Sequence, residues 1–268
     1  MINATAGILT LNSSKNIYKC LNSLNLFKEI IILDGGSTDS TLEIAKKFKC
    51  RILKQKKISK FSNKKIKNFS QVRNFILEKA KYDMVLMLDS DEVLERSQLH
   101  KIDFLSKSTI MKKKYYCFLM PRIPFFENSV YKKTGLFPNF QPRLFYKSNM
   151  KGFIKHVHET PIPINNSLKQ HKLKDMYINF SAEITDAQIK RKFEYYTSIE
   201  KKMVSKKFFK SIYFIFNGFF ILTRMFVKIL INKKSNKKIV VYEKKLILTR
   251  ILMLYSLLVY KLNVFKKI

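Results

Sequence analysis

The feature that most constrains the fold is a regular alternation of apolar runs and helix-like segments over the first 95 residues. Apolar or branched residues predict strands at 4–11, 29–33, 51–54 and 83–88. Apolar residues at helical spacing predict intervening helices at 15–26, 40–49 and 69–80. Ser40 and Glu43 have the spacing of a capping box at the start of the second helix. This alternation predicts an α/β fold with a parallel sheet built from βαβ units.

Polar clusters follow two of these predicted strands. "DGGSTDST" (34–41) follows the second strand, and Asp89-Ser90-Asp91 follows the fourth. Open sheets of this kind bind ligands beyond the carboxyl ends of their strands. Clustered carboxylates repel one another unless a positive charge joins them, and Mg²⁺ or Mn²⁺ prefers oxygen ligands of this type. Asp89 and Asp91 are therefore predicted to hold a divalent cation.

A purely structural interpretation competes with this one. Asp89 and Asp91 can instead cap a following helix, and residues 35–41 can form only a turn and a capped helix. Two common nucleotide-binding motifs are absent from the sequence, namely G-x-G-x-x-G and G-x-x-x-x-G-K-[ST]. The sequence therefore disfavours a dinucleotide-binding oxidoreductase and a P-loop enzyme.

Five segments occur together in the order found in family 2 glycosyltransferases. They are "ILTLNSSKNIYKCLNSL" (8–24), "EIIILDGGSTDSTLEIAKKF" (29–48), "SQVRNFILEKAKYDMVLMLDSDEVL" (70–94), "FPNFQPRLFYKS" (137–148) and "HVHE" (156–159). The sequence resembles this family over about residues 4–200, and within it the bacterial branch that includes the lipopolysaccharide core β-glucosyltransferases. The resemblance implies a GT-A fold, with a nucleotide-binding part at about 1–95 and an acceptor-binding part at about 96–200.

The implied reaction is an inverting, metal-assisted transfer of a sugar. The donor is a nucleoside diphosphate sugar, and the acceptor is a cell-envelope glycan or glycolipid such as lipopolysaccharide core. On the donor side, the resemblance places Thr10, Leu11 and Asn12 beside the nucleotide. It places Asp34 near the base or ribose, and Arg73 near the base or phosphates.

The remaining implied roles concern the metal and the chemistry. Asp89 contacts the ribose or the metal, and Asp91 ligates the metal directly. Glu159 is the candidate base that deprotonates the acceptor hydroxyl. His158 orients the site or contacts the diphosphate, and Arg143 belongs to the acceptor or diphosphate wall. If 156–159 is extended, His156 and His158 share one face and Glu159 points to the other.

The sequence departs from the family pattern at two places. Many relatives have Asn-Glu-Glu where this chain has Asn12-Ser13-Ser14, and many others have a second aspartate at the position of Gly35. These departures leave base recognition open, together with the alternative of an inactive, transferase-like scaffold.

The charge is strongly basic and concentrated toward the C-terminus. With 53 Lys and Arg against 19 Asp and Glu, the net charge is +34, which favours anionic partners. A basic nucleic-acid-binding protein is the alternative class, although no nucleic acid is expected if the transferase interpretation holds. Cys20, Cys50 and Cys117 lack metal-type spacing and predict reduced structural thiols. The N-terminal residues do not resemble a signal peptide, so a cytoplasmic protein is expected.

Residues 201–268 form a separate basic region. They contain 17 Lys or Arg and one acid, Glu243, around the apolar stretches 211–231 and 246–265. Arg224 and Lys228 interrupt the first stretch, so a transmembrane helix is disfavoured. The pattern favours amphipathic helices on an anionic membrane surface, ahead of a packed helical hairpin with outward lysines. The expected location is the inner face of the cell membrane, with peripheral attachment.

Overall fold

The structure is a computed structural model. The structure describes residues 1–55, 68–126, 129–130, 139–156, 159–181 and 237–265, with isolated residues between 191 and 227. The first strands and helices are β1 (Ile2–Thr10), α1 (Ser14–Asn22), β2 (Phe27–Asp34), α2 (Thr41–Lys47), β3 (Arg51–Lys54), α3 (Phe69–Lys79) and β4 (Met84–Asp89). Every strand and helix predicted for the first 95 residues is therefore present.

The later part of the chain contains most of the antiparallel strands. Its elements are β5 (Glu92–Leu94), α4 (Leu99–Lys107), α5 (Thr109–Lys114), β6 (Tyr115–Phe126), β7 (Ser129–Val130), β8 (Asn139–Tyr146), β9 (Met150–Ile154), β10 (Thr160–Pro163), β11 (Lys169–Lys172), β12 (Ile178–Ser181) and α6 (Lys237–Phe265). The main sheet has the order β3-β2-β1-β4-β8-β6-β12-β5, and β7 and β11 also pair with β6. Strands β3, β2, β1 and β4 are parallel, whereas β8 is antiparallel to both β4 and β6.

The parallel strands are buried on both faces, which explains their continuous apolar sequences. Successive side chains of a strand point to opposite faces. In β4, Met84, Leu86 and Leu88 join the core cluster that contains the buried residues of α1, whereas Val85 and Met87 join the cluster of α3. Because helices cover both faces, a ligand reaches this part of the sheet at its edges.

Three local predictions are corrected by the structure. The capping box is wrong, because the Ser40 side chain makes no capping hydrogen bond. The first helix was predicted to run to residue 26, but α1 ends at Asn22. Just after it, the Ser23 hydroxyl donates to the Cys20 carbonyl oxygen at 2.6 Å. The interpretation of Asp89 and Asp91 as helix caps is also wrong, because strand β5 follows them.

Gly152 provides a test of how tightly β9 is held against α3. Its φ is +129°, and a Cβ there would lie 2.7 Å from Asn74 Oδ1. That amide oxygen accepts the Phe153 N–H at 2.6 Å. Gly152→Ala is therefore expected to lower the free energy of unfolding by about 2–4 kcal/mol, from backbone strain and crowding together. Gly36→Ala, at φ +98° with no atom within 4 Å of the added Cβ, should show the backbone cost alone in urea titrations. Equal losses for the two variants would contradict the crowding.

The chain divides into two compact units. The first contains residues 1–123 and 139–180, and the second contains 124–138 and 181–268. In the second unit, Ile247, Leu254 and Leu257 of α6 are buried in a small core with Leu222. None of the helices that the structure describes has the length and apolar character needed to cross a bilayer. The composition-based boundary near residue 200 stays a prediction.

Candidate active site

The strand-end residues singled out by the sequence meet at one edge of the sheet. The strand register places Thr10 beside Asp34 and Leu9 beside Asp89. The carboxyl ends of β1, β2 and β4 therefore lie side by side. This is the edge at which open α/β sheets bind their ligands.

Asp34 organises the turn that follows β2. Its buried carboxylate accepts hydrogen bonds from the hydroxyls of Thr10 and Ser37, at 3.1 and 2.5 Å. It also accepts the N–H groups of Gly36 and Ser37, at 2.7 and 2.9 Å. Asp34 and Thr10 therefore shape this turn, and their predicted contact with the nucleotide stays a prediction.

The loop after β1 is tied to both polar clusters. Asn12 has φ +49°, and its side-chain oxygen accepts the Thr38 N–H at 2.8 Å. The Ser13 hydroxyl lies 2.8 Å from the Ser90 hydroxyl, which belongs to the Asp89–Asp91 turn. The Leu11 side chain is exposed. The predicted nucleotide-side residues of this loop are thus placed beside the acidic turn.

A single carboxylate, that of Asp39, joins the starts of α1 and α2. It accepts the N–H of Ser14 at 3.0 Å and the N–H and hydroxyl of Thr41 at 3.0 and 2.5 Å. Burial by itself raises the pKa of Asp39, but these hydrogen bonds outweigh it and hold the pKa below its usual range. Asp39 therefore performs the capping that the sequence assigned to Ser40.

Asp39→Ala is expected to lower the free energy of unfolding by about 0.5–2 kcal/mol at pH 7, the usual effect of losing a cap. A carboxyl whose pKa is lowered on folding stabilises above its unfolded pKa of about 3.9, and this contribution is lost as the pH falls further. The difference between wild type and variant should therefore shrink in unfolding titrations at pH 3. The same difference at both pH values would argue against the carboxylate as its source.

Asp89 lies between two arginines. Its Oδ2 accepts Arg143 Nη2 at 2.9 Å, and its Oδ1 faces Arg73 Nη2 at 3.5 Å. The side chain remains 39% exposed. Two arginines distant in sequence therefore already supply positive charge beside Asp89, and the predicted divalent cation stays a prediction.

Arg73 connects Asp89 to Glu159. The arginine is buried on α3, and its Nε donates to Glu159 Oε1 at 2.7 Å. The chain before Glu159 is held by the same helix, because Phe69 N–H donates to the His156 carbonyl oxygen at 2.8 Å. The structure thus brings together Arg73, Asp89, Arg143 and Glu159, which are separated along the sequence.

Glu92 and Arg122 are site residues that the sequence analysis missed. Glu92 is fully buried, and its Oε1 accepts Arg122 Nε at 2.6 Å and Arg143 Nη2 at 2.8 Å. A usable signal was present in "MPRIPFF" (120–126), where an arginine interrupts an apolar strand. An arginine withdrawn from water in an otherwise apolar strand needs a carboxylate partner, so this pattern predicts one nearby.

Electrostatics keeps both strand arginines charged. Burial by itself lowers the pKa of Arg143, but Asp89 and Glu92 outweigh it and raise the pKa above its usual value. For Arg122, Glu92 is the largest cause that raises the pKa against the effect of burial. Both side chains therefore act as permanent cations at this edge of the sheet.

The chemistry of the donor set limits what kind of metal ion fits. Among the residues that the structure describes, no group of three or more His, Cys, Asp or Glu could hold an ion by itself. Asp91 is 30% exposed, with its Oδ2 4.0 Å from Arg122 Nη2. A Mg²⁺ or Mn²⁺ ion commonly takes one or two carboxylates and completes its shell with substrate phosphates and water. The residues fit an ion of that kind, for which Asp91 and Asp89 would be the protein ligands.

Two histidines considered from the sequence have different outcomes. His158 lies outside the described residues. His156 is exposed and occupies a bend after β9, which ends at Ile154, while β10 begins at Thr160. The two described residues before this gap, 155 and 156, form a bend and not a strand, and the predicted alternation of the histidines with Glu159 stays a prediction.

Comparison with known proteins defines the class. The family model described as "Glycosyl transferase family 2" matches residues 5–158, more than half of the chain. The chain belongs to glycosyl transferase family 2. This membership and the observed mixed sheet confirm the α/β, GT-A type of fold. The narrower resemblance to lipopolysaccharide core β-glucosyltransferases stays a prediction.

Similar curated proteins carry related names. "SPbeta prophage-derived glycosyltransferase SunS" of Bacillus subtilis (strain 168) is 32% identical over 166 residues, covering 61% of this chain and 36% of that protein. An "Uncharacterized glycosyltransferase" of Haemophilus influenzae is 34% identical over 88 residues, covering 33% of this chain and 34% of that protein. The chain thus spans about a third of the length of these relatives.

A solved structure shows a weaker likeness. "Crystal structure of S. aureus TarS 1-349 in complex with UDP-GlcNAc" has 18% sequence identity and a TM-score of 0.49, covering 74% of this chain and 65% of that chain. At this TM-score the likeness carries no weight, and the fold assignment rests on the family match and the strand order.

Proposed function

We propose that this protein is an inverting glycosyltransferase that moves a sugar from a nucleoside diphosphate donor to an acceptor hydroxyl. The observation that carries the proposal is the Arg73 bridge, which joins the Asp89 end of β4 to Glu159. Through this bridge the Glu159 carboxylate, which we take as the base, lies beside the edge where we expect the nucleotide. Membership of family 2 supports the reaction class.

In the proposed mechanism, Glu159 accepts the proton of the acceptor hydroxyl as its oxygen attacks the anomeric carbon. Oε1 of Glu159 accepts a hydrogen bond from Arg73 Nε, so Oε2 is assigned to the proton transfer. Arg73 fixes the orientation of this carboxylate, and a well-placed base contributes ~10²–10⁴-fold in rate. No second, nucleophilic carboxylate is needed for inversion.

The leaving diphosphate requires positive charge. Arg143 and Arg73 lie on either side of Asp89, and we assign Arg143 to the diphosphate wall. A divalent cation bound by Asp91 and Asp89 would act as a Lewis acid on the departing phosphate oxygens. Thr10, Leu11, Asn12 and Asp34 are assigned to the nucleotide because the ends of β1 and β2 lie beside the Asp89 turn.

The proposed acceptor is a cell-envelope glycan or glycolipid, such as lipopolysaccharide core. This assignment is supported by the motif resemblance in residues 137–148 and 156–159. The decisive experiment is a panel of UDP-, GDP-, dTDP- and ADP-sugars, scored for release of the nucleoside diphosphate with Mn²⁺ and with EDTA. Metal-stimulated release from one donor is the expected result. If every donor stayed intact, the inactive-scaffold interpretation would replace this one.

We also propose that the second unit attaches the enzyme to the inner face of the cell membrane. Large apolar side chains with 37–60% exposure follow one face of α6: Val241, Leu248, Leu252, Tyr255 and Val259. Their spacings of three, four and seven residues define a helical stripe. Because 17 basic residues and one acid lie in 201–268, like-charge repulsion disfavours a second copy as the partner, and an anionic lipid surface complements both features.

The double substitution Leu248→Ser and Leu252→Ser should reduce sedimentation with phosphatidylglycerol-containing vesicles by about tenfold or more, since each leucine contributes apolar burial. Pure phosphatidylcholine vesicles should bind the wild type weakly. Phe104→Ser with Ile110→Ser is the matched control, because both residues are exposed in the first unit, at 65% and 66%. Equal losses in the two double variants would refute α6 as the attachment surface.

A further inference from the structure

Glu92 occupies an unusual position for an acidic residue. Its side chain has no exposed surface, and each oxygen is engaged. Oε1 accepts Arg122 Nε at 2.6 Å and Arg143 Nη2 at 2.8 Å, and Oε2 accepts the Asp89 N–H at 3.0 Å. One carboxylate thus joins two antiparallel strands, β6 and β8, to the acidic turn after β4.

Burying this carboxylate costs free energy unless ion pairs and hydrogen bonds compensate its charge. Arg122 and Arg143 lie on neighbouring strands, β6 and β8, and both pair with Glu92. Without the negative charge of Glu92, the closest remaining acids among the described residues would be those of the Asp89–Asp91 turn, where Arg143 Nη2 already pairs with Asp89 Oδ2 at 2.9 Å. Arg122 is well placed for such a change, because its Nη2 already lies 4.0 Å from Asp91 Oδ2.

A second contact restrains Arg122. Its guanidinium carbon lies 3.8 Å from the centre of the Phe180 ring, a distance at which a cation is attracted to the ring face. Stacking on Phe180 fixes the plane of the group, and the Nε bond to Glu92 fixes its direction. The arginine is therefore held near the acidic turn, with its Nη2 no closer than 4.0 Å to Asp91 Oδ2.

We propose that Glu92 is the positioning residue of this site: it holds Arg143, which also pairs with Asp89, and it keeps Arg122 Nη2 at 4.0 Å from Asp91 Oδ2 instead of at the distance of a short ion pair. Glu92 is not expected to contact substrate. It acts through the two arginines and keeps Asp91 suited to a cation. The consequence for cation binding rests on the proposed function, whereas the positioning of Arg122 does not.

The positioning is tested without any ligand, by ¹⁵N NMR of arginine Nε–H groups in the full chain. In the wild type, Arg122 and Arg73 each donate Nε–H to a carboxylate and should give slowly exchanging signals. In Glu92→Gln, the Arg122 signal should shift or disappear while the Arg73 signal stays in place. An unchanged Arg122 signal would overturn the proposal.

The consequence for binding is tested by calorimetry with Mn²⁺ and UDP, GDP, dTDP or ADP. Glu92→Gln should weaken the Mn²⁺-dependent affinity by at least roughly tenfold, the usual scale for residues that support metal ligands. The matched control is Glu29→Gln, because Glu29 also pairs with an arginine, Arg51, and accepts a backbone N–H, that of Lys81. Glu29 lies near the opposite end of β2 from Asp34, so its variant should keep wild-type affinity.

A double variant separates positioning from general stability. If Arg122 is the group that competes for Asp91, the double variant Glu92→Gln with Arg122→Gln should bind the nucleotide with Mn²⁺ at least about threefold more tightly than Glu92→Gln alone. A coupling of this size is usual for residues in contact. Strictly additive losses would contradict the competition. If the wild type bound none of the nucleotides, the proposed function would fail, and the arginine signals would still decide the role of Glu92.

Discussion

Glu159→Gln is expected to reduce sugar transfer by ~10²–10⁴-fold, the usual contribution of a general base. Glutamine keeps an oxygen that can accept the hydrogen bond now made by Arg73 Nε to Glu159 at 2.7 Å. The geometry of the site is therefore retained while the proton acceptor is lost. Steady-state kinetics with the active donor should show the loss in kcat, with the KM for the donor changed by only a few-fold.

The matched control for this variant is Glu78→Gln, because Glu78 lies on the exposed side of α3 and its side chain is 65% exposed. It should retain wild-type kinetics. Transfer by Glu159→Gln within a factor of about three of wild type would place the base elsewhere. A comparable loss in Glu78→Gln would point to a general effect of altering α3 or its surroundings.

Asp91→Asn should lower metal-stimulated transfer by roughly 10²–10³-fold, since a Lewis-acid cation supplies several kcal/mol to the departing phosphate. Asparagine retains an oxygen but removes the negative charge that attracts a hard cation. A titration of activity with Mn²⁺ should shift to higher concentration, and stabilisation by the nucleotide with Mn²⁺ should weaken in thermal unfolding.

Asp103→Asn is the corresponding control, because Asp103 pairs with Lys107 on the surface of α4. It removes the same charge away from the site and should leave the Mn²⁺ titration unchanged. An Asp91→Asn enzyme with the wild-type Mn²⁺ dependence would exclude Asp91 as a ligand. In that case, the arginines around Asp89 would be the principal source of positive charge for the leaving group.

The fold of the first half was predictable because its signals are local. Continuous apolar runs such as 29–33 indicate strands buried on both faces, and the structure places helices against both faces of the sheet. Errors occurred where a single side chain decides the outcome. Ser40 and Asp39 are adjacent, and only the folded loop shows that Asp39 receives the N–H groups of both Ser14 and Thr41.

The site was predicted in part. The sequence singled out Asp89, Arg143, Arg73 and Glu159, and the structure brings these four together. It did not identify Arg122 or Glu92 as site residues. Those two residues come from β5 and β6, which lie on either side of β12 in the sheet, so their contact depends on the strand order and not on spacing along the chain.

By itself, the sequence determined the alternating strand and helix pattern, the polar strand ends and the family, since each depends on the order of residues along the chain. Only the tertiary structure decided how the charge of the acidic turn is balanced. Arg73, Arg122 and Arg143 reach that turn from α3, β6 and β8, which are far apart in sequence. Electrostatic energy depends on distances between atoms in space, so the partners of Asp89 and Glu92 are defined only once the sheet has formed.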